Sequence, residues 1–197
     1  KLPEVKYFIL KNGLKLMVIE RHDQPAVLVT LMLRTGSLND PLDKEGLAEI
    51  TCGLLKQGTR SYSADEIAEK FDFTGTRFDA WTDQDYSMIQ MMTLKKYYVP
   101  NLELFSDIVT NPDFSPEEIR RMKTEIISGI KSSLDEPRTI ADQHLRFLIF
   151  GLHPLGRTRT IKSVKSINRN DITNYFKSNF NPDNSILLII GDITSQE

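Results

Sequence analysis

The sequence predicts an α+β domain: a mostly antiparallel β-sheet covered by helices on one face. Three observations carry that expectation. An Asn12-Gly13 pair stands between apolar-rich arms, a strong short hairpin signal. Well-capped helical segments cluster in the middle and late parts of the chain. The element order (strands, helices, a strand pair, more helices, one strand) lacks the regular alternation of a doubly wound fold.

The first hairpin spans Phe8 to Val18, and the run Val27 to Leu33 is a second strand region, ending at Thr35-Gly36-Ser37. A polar loop, Asn39 to Lys44, leads into residues 45–56, where Leu47, Ile50 and Leu54 recur at helical spacing. Ser63-Ala-Asp-Glu66 is a capping box and opens a helix through Ile67, Ala68 and Phe71. Residues 76–83 and 86–95 are two strands joined by Asp83-Gln84-Asp85, and Val99 to Thr110 is a helix closed by Asn111-Pro112. Ser115-Pro-Glu-Glu118 places Ser at the N-cap, Pro at the first helical position and Glu at the third. That helix carries the stripe Ile119, Met122, Ile126, Ile130 and Leu134 and runs until Pro137. Helices over about 138–150 and 170–179 follow, and Ile186 to Ile190 is a buried strand.

The 197 residues suffice for one domain with a sizeable core. A net charge of −2 argues against a nucleic-acid footprint, and no apolar run approaches the length of a membrane span. One cysteine excludes an internal disulfide and leaves the compartment open. The chain starts at Lys1, so either a processed protein or a piece of a longer one is expected. No nucleophile elbow, P-loop or dinucleotide glycine set occurs. Histidines 22, 144 and 153 are far apart. His144 is expected to face the core or a groove of its helix, and His153 to anchor a loop.

Gly36-Ser37, Glu45-Gly-Leu-Ala48 and Leu54-Leu-Lys-Gln-Gly-Thr59 occur in one ordered register. Phe78-Asp-Ala-Trp-Thr82, Asp85-Tyr86, the long helix from Ser115, Pro137 and His153-Pro-Leu-Gly-Arg157 continue it over nearly the whole chain. This ordered set resembles the inverted-zincin peptidases: insulinase, pitrilysin and mitochondrial processing peptidase. In that family a His-x-x-Glu-His helix supplies two imidazoles, four residues apart, to one zinc ion, with the intervening Glu as general base. A further Glu, about 76 residues on, completes the ligands.

Carried onto this chain, the first imidazole position is Glu49, the general base is Cys52, the second imidazole is Gly53, and the remote ligand is Gly129. All four positions are substituted while the apolar frame persists. No catalytic or metal residue is therefore expected, and no cofactor. Glu49 and Cys52, with Glu125 as third donor, could hold zinc only as a poor set, since zinc sites favour Cys and His. Cys52 is otherwise a small buried hydrophobe and Glu49 a solvated or hydrogen-bonded group. The two helix glycines are read as drift after loss of the metal together with close packing, with a retained pocket as the alternative.

The resemblance implies a non-catalytic subunit that assembles with an active homologue and helps enclose or present a peptide substrate. Residues 1–197 would be the first domain of a longer two-domain subunit. Its peptide contacts would fall on the strand Phe78, Asp79, Ala80 and Trp81, at a sheet edge, with Phe78 and Trp81 opposite in parity to Asp79. The competing readings are a zinc peptidase with unusual ligands and a stand-alone interaction or peptide-binding scaffold.

Overall fold

The computed structural model describes residues 3–196, so the Lys1 start lies outside the described residues. Six strands form one sheet in the order β1-β2-β6-β3-β5-β4. They are β1 (Lys6–Ile9), β2 (Lys15–Glu20), β3 (Ala26–Leu33), β4 (Arg77–Thr82), β5 (Ser87–Leu94) and β6 (Ser185–Gly191). Only β2 and β6 run parallel; every other neighbouring pair is antiparallel. The expected α+β class and mostly antiparallel sheet are what the structure has. At the first hairpin Gly13 has φ +87°, the left-handed conformation that Asn-Gly favours, and Asn12 Oδ1 accepts from the Leu14 amide.

The helices are α1 (Leu47–Gly53), α2 (Ala64–Thr74), α3 (Tyr98–Thr110), α4 (Pro116–Ser133), α5 (Pro137–Phe150), α6 (Ile161–Ser166) and α7 (Arg169–Asn179). Ser63 and Ser115 cap α2 and α4, each accepting from the third helical amide. The short α6 is additional to the expected elements and is capped by Thr160.

Alternation along the strands sends Val27, Val29, Leu31, Leu33, Ile89, Met91 and Ile189 to the helix side, where they meet Ile67, Phe71, Leu104, Phe105 and Ile108. A second cluster joins Leu47, Ile50 and Leu54 to Ile119, Val164, Ile167 and Ile172, and holds α1 among α4, α6 and α7. The opposite sheet face carries Leu28, Met32, Met88, Met92 and Leu188, half-buried or exposed. No described helix is long and apolar enough to cross a membrane.

Three side-chain expectations are corrected. Along β4 exposure alternates, so Trp81 shares the outer face with Arg77 and Asp79, while Phe78 and Ala80 turn inward. Residues 78 and 81 differ by an odd number, and a strand puts such positions on opposite faces. His144 faces solvent, because α5 has no buried residue at all. The α4 stripe stops short: Leu134 follows the last helical residue and is exposed.

Candidate functional site

Helix α1 is the centre of the candidate site, and its position is set at both ends. Gly46, with φ +101°, precedes the helix and has no side chain to cap it. The buried Asp40 does so from outside: Oδ2 accepts from the Gly46 amide at 2.7 Å and Oδ1 from the Ala48 amide at 2.8 Å. Burial outweighs these bonds and pushes the Asp40 carboxyl up to about 6. Arg157 reaches the Asp40 carbonyl at 3.3 Å, and His153 Nδ1 accepts from the Leu155 amide at 3.2 Å, fixing the turn that brings Arg157 in. On the sheet side, Thr82 donates to the Ala48 carbonyl at 3.4 Å and the Cys52 thiol to the Trp81 carbonyl at 3.5 Å. Helix α1 is thereby tied to β4, the last strand of the sheet.

The four substituted positions have different surroundings. Cys52 is 1% exposed, and burial pushes its thiol up to about 11, so it stays protonated near neutral pH. Glu49 is half-exposed and ion-paired with Arg159, which arrives from the segment before α6. Gly53 faces α4, where a Cβ would lie 3.0 Å from both Sδ and Cε of Met122. The thioether of Met122 thus fills the place of the missing side chain. Gly129 is different. A Cβ there would meet nothing within 4 Å, so the close packing expected at both glycines holds only at Gly53.

These residues do not fit a zinc ion. Two of the four positions have no donor, the thiol is protonated and spent on a carbonyl, and the one carboxylate is neutralised by a guanidinium. Glu125 is exposed and does not complete a set: among the described residues no group of three or more His, Cys, Asp or Glu could hold a metal ion.

Of the proposed peptide-contact residues, Phe78 stacks on Phe71 (centroids 5.4 Å apart) and meets Phe105 edge-on, so its side chain belongs to the core. Ala80 is half-buried beside it, and Asp79 and Trp81 face solvent. As the sheet's terminal strand, β4 pairs only with β5 and leaves its other edge free of any strand. Sequence reasoning missed Asp40, Met122 and Arg159. Arg159 meets Glu49 across 110 positions, for which no local pattern exists.

The open space at Gly129 has a direct consequence. Gly129→Ala is expected to stabilise the fold by about 1 kcal/mol, the helix-propensity difference between the two residues. Urea unfolding checks this, and a destabilised variant would show that the position is packed after all.

The sequence model of the insulinase family, peptidase family M16, matches residues 16–161. An uncharacterised zinc protease of Rickettsia bellii is 27% identical over 95% of this chain and 46% of its own length. A probable mitochondrial-processing peptidase subunit beta of Schizosaccharomyces pombe is 27% identical over 100% of this chain and 43% of its own. A crystal structure described as a peptidase M16 inactive domain from Pseudomonas fluorescens superimposes with a TM-score of 0.93 at 22% identity, over 98% of this chain and 48% of that one. The chain spans about half the length of these relatives. With the match covering well over half of its residues, the chain belongs to the insulinase family of peptidases, family M16.

Proposed function

We propose that this domain is a non-catalytic member of its family, which pairs with an active zinc-peptidase homologue and lends its β4 edge to an extended peptide substrate. The carrying observation is the joint change at Glu49, Cys52, Gly53 and Gly129. Loss of any one ligand could be compensated, but here the metal ligands, the general base and the remote carboxylate are all replaced in two separate helices. The surroundings support the reading, since Met122 fills the space beside Gly53 and Arg159 ion-pairs with Glu49. The frame is kept for another reason: α1 still holds β4 through Thr82 and Cys52, so the edge stays ordered. Strand addition to such an edge needs main-chain groups rather than particular side chains, and so outlives the loss of the metal. The fold likeness to a structure described as an inactive M16 domain agrees with this.

The reading is tested by isolating the protein from its own cells under native conditions. The expected result is co-purification with a homologue that carries His-x-x-Glu-His, and no peptide cleavage by this chain alone. About one equivalent of zinc per chain after chelation and reloading, lost in Cys52→Ala, would overturn the reading in favour of a zinc peptidase with unusual ligands. Isolation of the protein with no such homologue, the chain still binding peptide, would favour a stand-alone scaffold.

A further inference from the structure

Beside α1 lies a cleft of about 860 Å³ between α4, α5 and residues 158–162. It has an uneven charge. Arg138, Arg146, Arg159 and Lys162 line it against a single carboxylate, Asp142. Asp142 is engaged by Arg146 at 3.1 Å, and Arg159 by Glu49 at the rim. Arg138 and Lys162 are exposed, and among the described residues neither has an ion pair or side-chain hydrogen bond. Thr139 and Thr158 add hydroxyl groups to the same wall.

Gly129 opens into this cleft with empty space at its Cβ. A glutamate at that position would add a second carboxylate to the walls that carry the four cationic groups. Glycine removes the charge and widens the space, so a position suited to holding a cation becomes one suited to receiving an anion. A concave surface with one excess sign of charge focuses its field on the space it encloses.

The cleft also has an approach from the sheet. A smaller pocket of about 240 Å³ is lined by Thr82 at the end of β4 and by Asp83 and Gln84 after it, and shares Thr158 and Arg159 with the larger cleft. Its carboxylates Asp40, Glu45, Glu49 and Asp83 keep the negative charge at this approach and leave the cationic excess to the cleft beyond. A chain running along β4 and past Thr82 would cross the Glu49–Arg159 pair and enter the cationic space. We propose that the cleft receives acidic side chains of a peptide whose neighbouring segment adds to β4. The proposal rests on the reading of β4 as a peptide-binding edge and names the class of peptide that it takes.

Fluorescence anisotropy tests this with three labelled peptides. Each carries the same β-prone segment, followed by four glutamates, four glutamines or four lysines. At low salt the glutamate peptide is expected to bind about tenfold more tightly than the glutamine one, and the lysine peptide most weakly. The preference should shrink at high salt, as exposed charge contacts do. It should vanish in the double variant Arg138→Glu, Lys162→Glu and in Gly129→Glu, with circular dichroism confirming that each variant is folded. Equal binding of the glutamate and glutamine peptides would overturn the acidic preference and leave the β4 reading standing. Binding of none of the three would remove the β4 reading and the proposal with it. Inorganic tripolyphosphate displacing the glutamate peptide more effectively than an unlabelled copy of that peptide would assign the cleft to phosphate and overturn the proposal.

Discussion

A chain carrying Glu49→His, Gly53→His and Gly129→Glu, together with Met122→Ala and Arg159→Ala, is expected to bind one zinc ion with a Kd below about 1 µM, roughly 8 kcal/mol of binding. The unaltered chain should show no zinc binding in the same titration. Positions 49 and 53 lie four residues apart on α1, so imidazoles there point the same way and can share one metal. The frame that would hold them is intact, because Ile50, Leu54 and Ile119 still pack α1 and α4 into one cluster.

Restoring the ligands alone should not be enough. An imidazole at position 53 needs the volume that Met122 occupies, since even a Cβ would sit 3.0 Å from its sulfur and terminal methyl. Removing the Glu49 carboxylate also strands the Arg159 guanidinium beside the incoming dication. The three-substitution chain that keeps Met122 and Arg159 is therefore expected to bind zinc at least about 30-fold more weakly, or about 2 kcal/mol. Isothermal titration with zinc, checked by competition against a chromogenic chelator, reads both values. Equal affinity for the two chains would show that Met122 and Arg159 do not block the site. No binding by either would show that α1 and α4 do not hold the three positions within reach of one metal. Hydrolysis would require Cys52→Glu as well, because the buried protonated thiol supplies no general base.

Much of the architecture could be read from the chain because its signals are local. Asn12-Gly13, the Ser63 and Ser115 caps and the apolar run at 186–190 each act over a few residues, and each marks the element that the structure contains. The short α6 escaped because its six residues carry fewer than two helical turns of pattern. The side-chain content of the candidate site is another matter. The ordered motif pointed to Glu49, Cys52, Gly53 and Gly129, but not to the side chains that surround them. The contacts Gly53–Met122 and Glu49–Arg159 join residues 69 and 110 positions apart, and no period or spacing in the sequence links them. Even β4, found as a strand, misled about its faces until Trp81 was placed by the register that pairs it with Met88. The cationic cleft arises from residues scattered over 138–162 that only the fold brings onto one cleft with Gly129.

Asp40→Ala is expected to cost about 3 kcal/mol of stability, because it leaves the Gly46 and Ala48 amides buried without their acceptor. No neighbouring side chain on the helix can substitute, since the preceding residue is Gly46 itself. The same carboxyl should give the fold an unusual pH dependence. Its ordinary value of 3.8 is raised to about 6, chiefly by burial, with Glu45 adding in the same direction. The folded state therefore holds this proton more tightly than the unfolded state. The resulting stabilisation is fully present below about pH 4 and is lost as pH rises through about 6, a change on the order of 2–3 kcal/mol. Asp40→Asn removes the titration but keeps one acceptor for the helix amides. The stability advantage of the native chain over that variant should then be largest near pH 4 and fall steadily toward pH 7. Urea unfolding of both proteins across that range isolates this one group, since every other titration is common to the two. A difference independent of pH would mean that the amide bonds compensate fully for burial, so that Asp40 caps α1 as an ordinary ionised carboxylate.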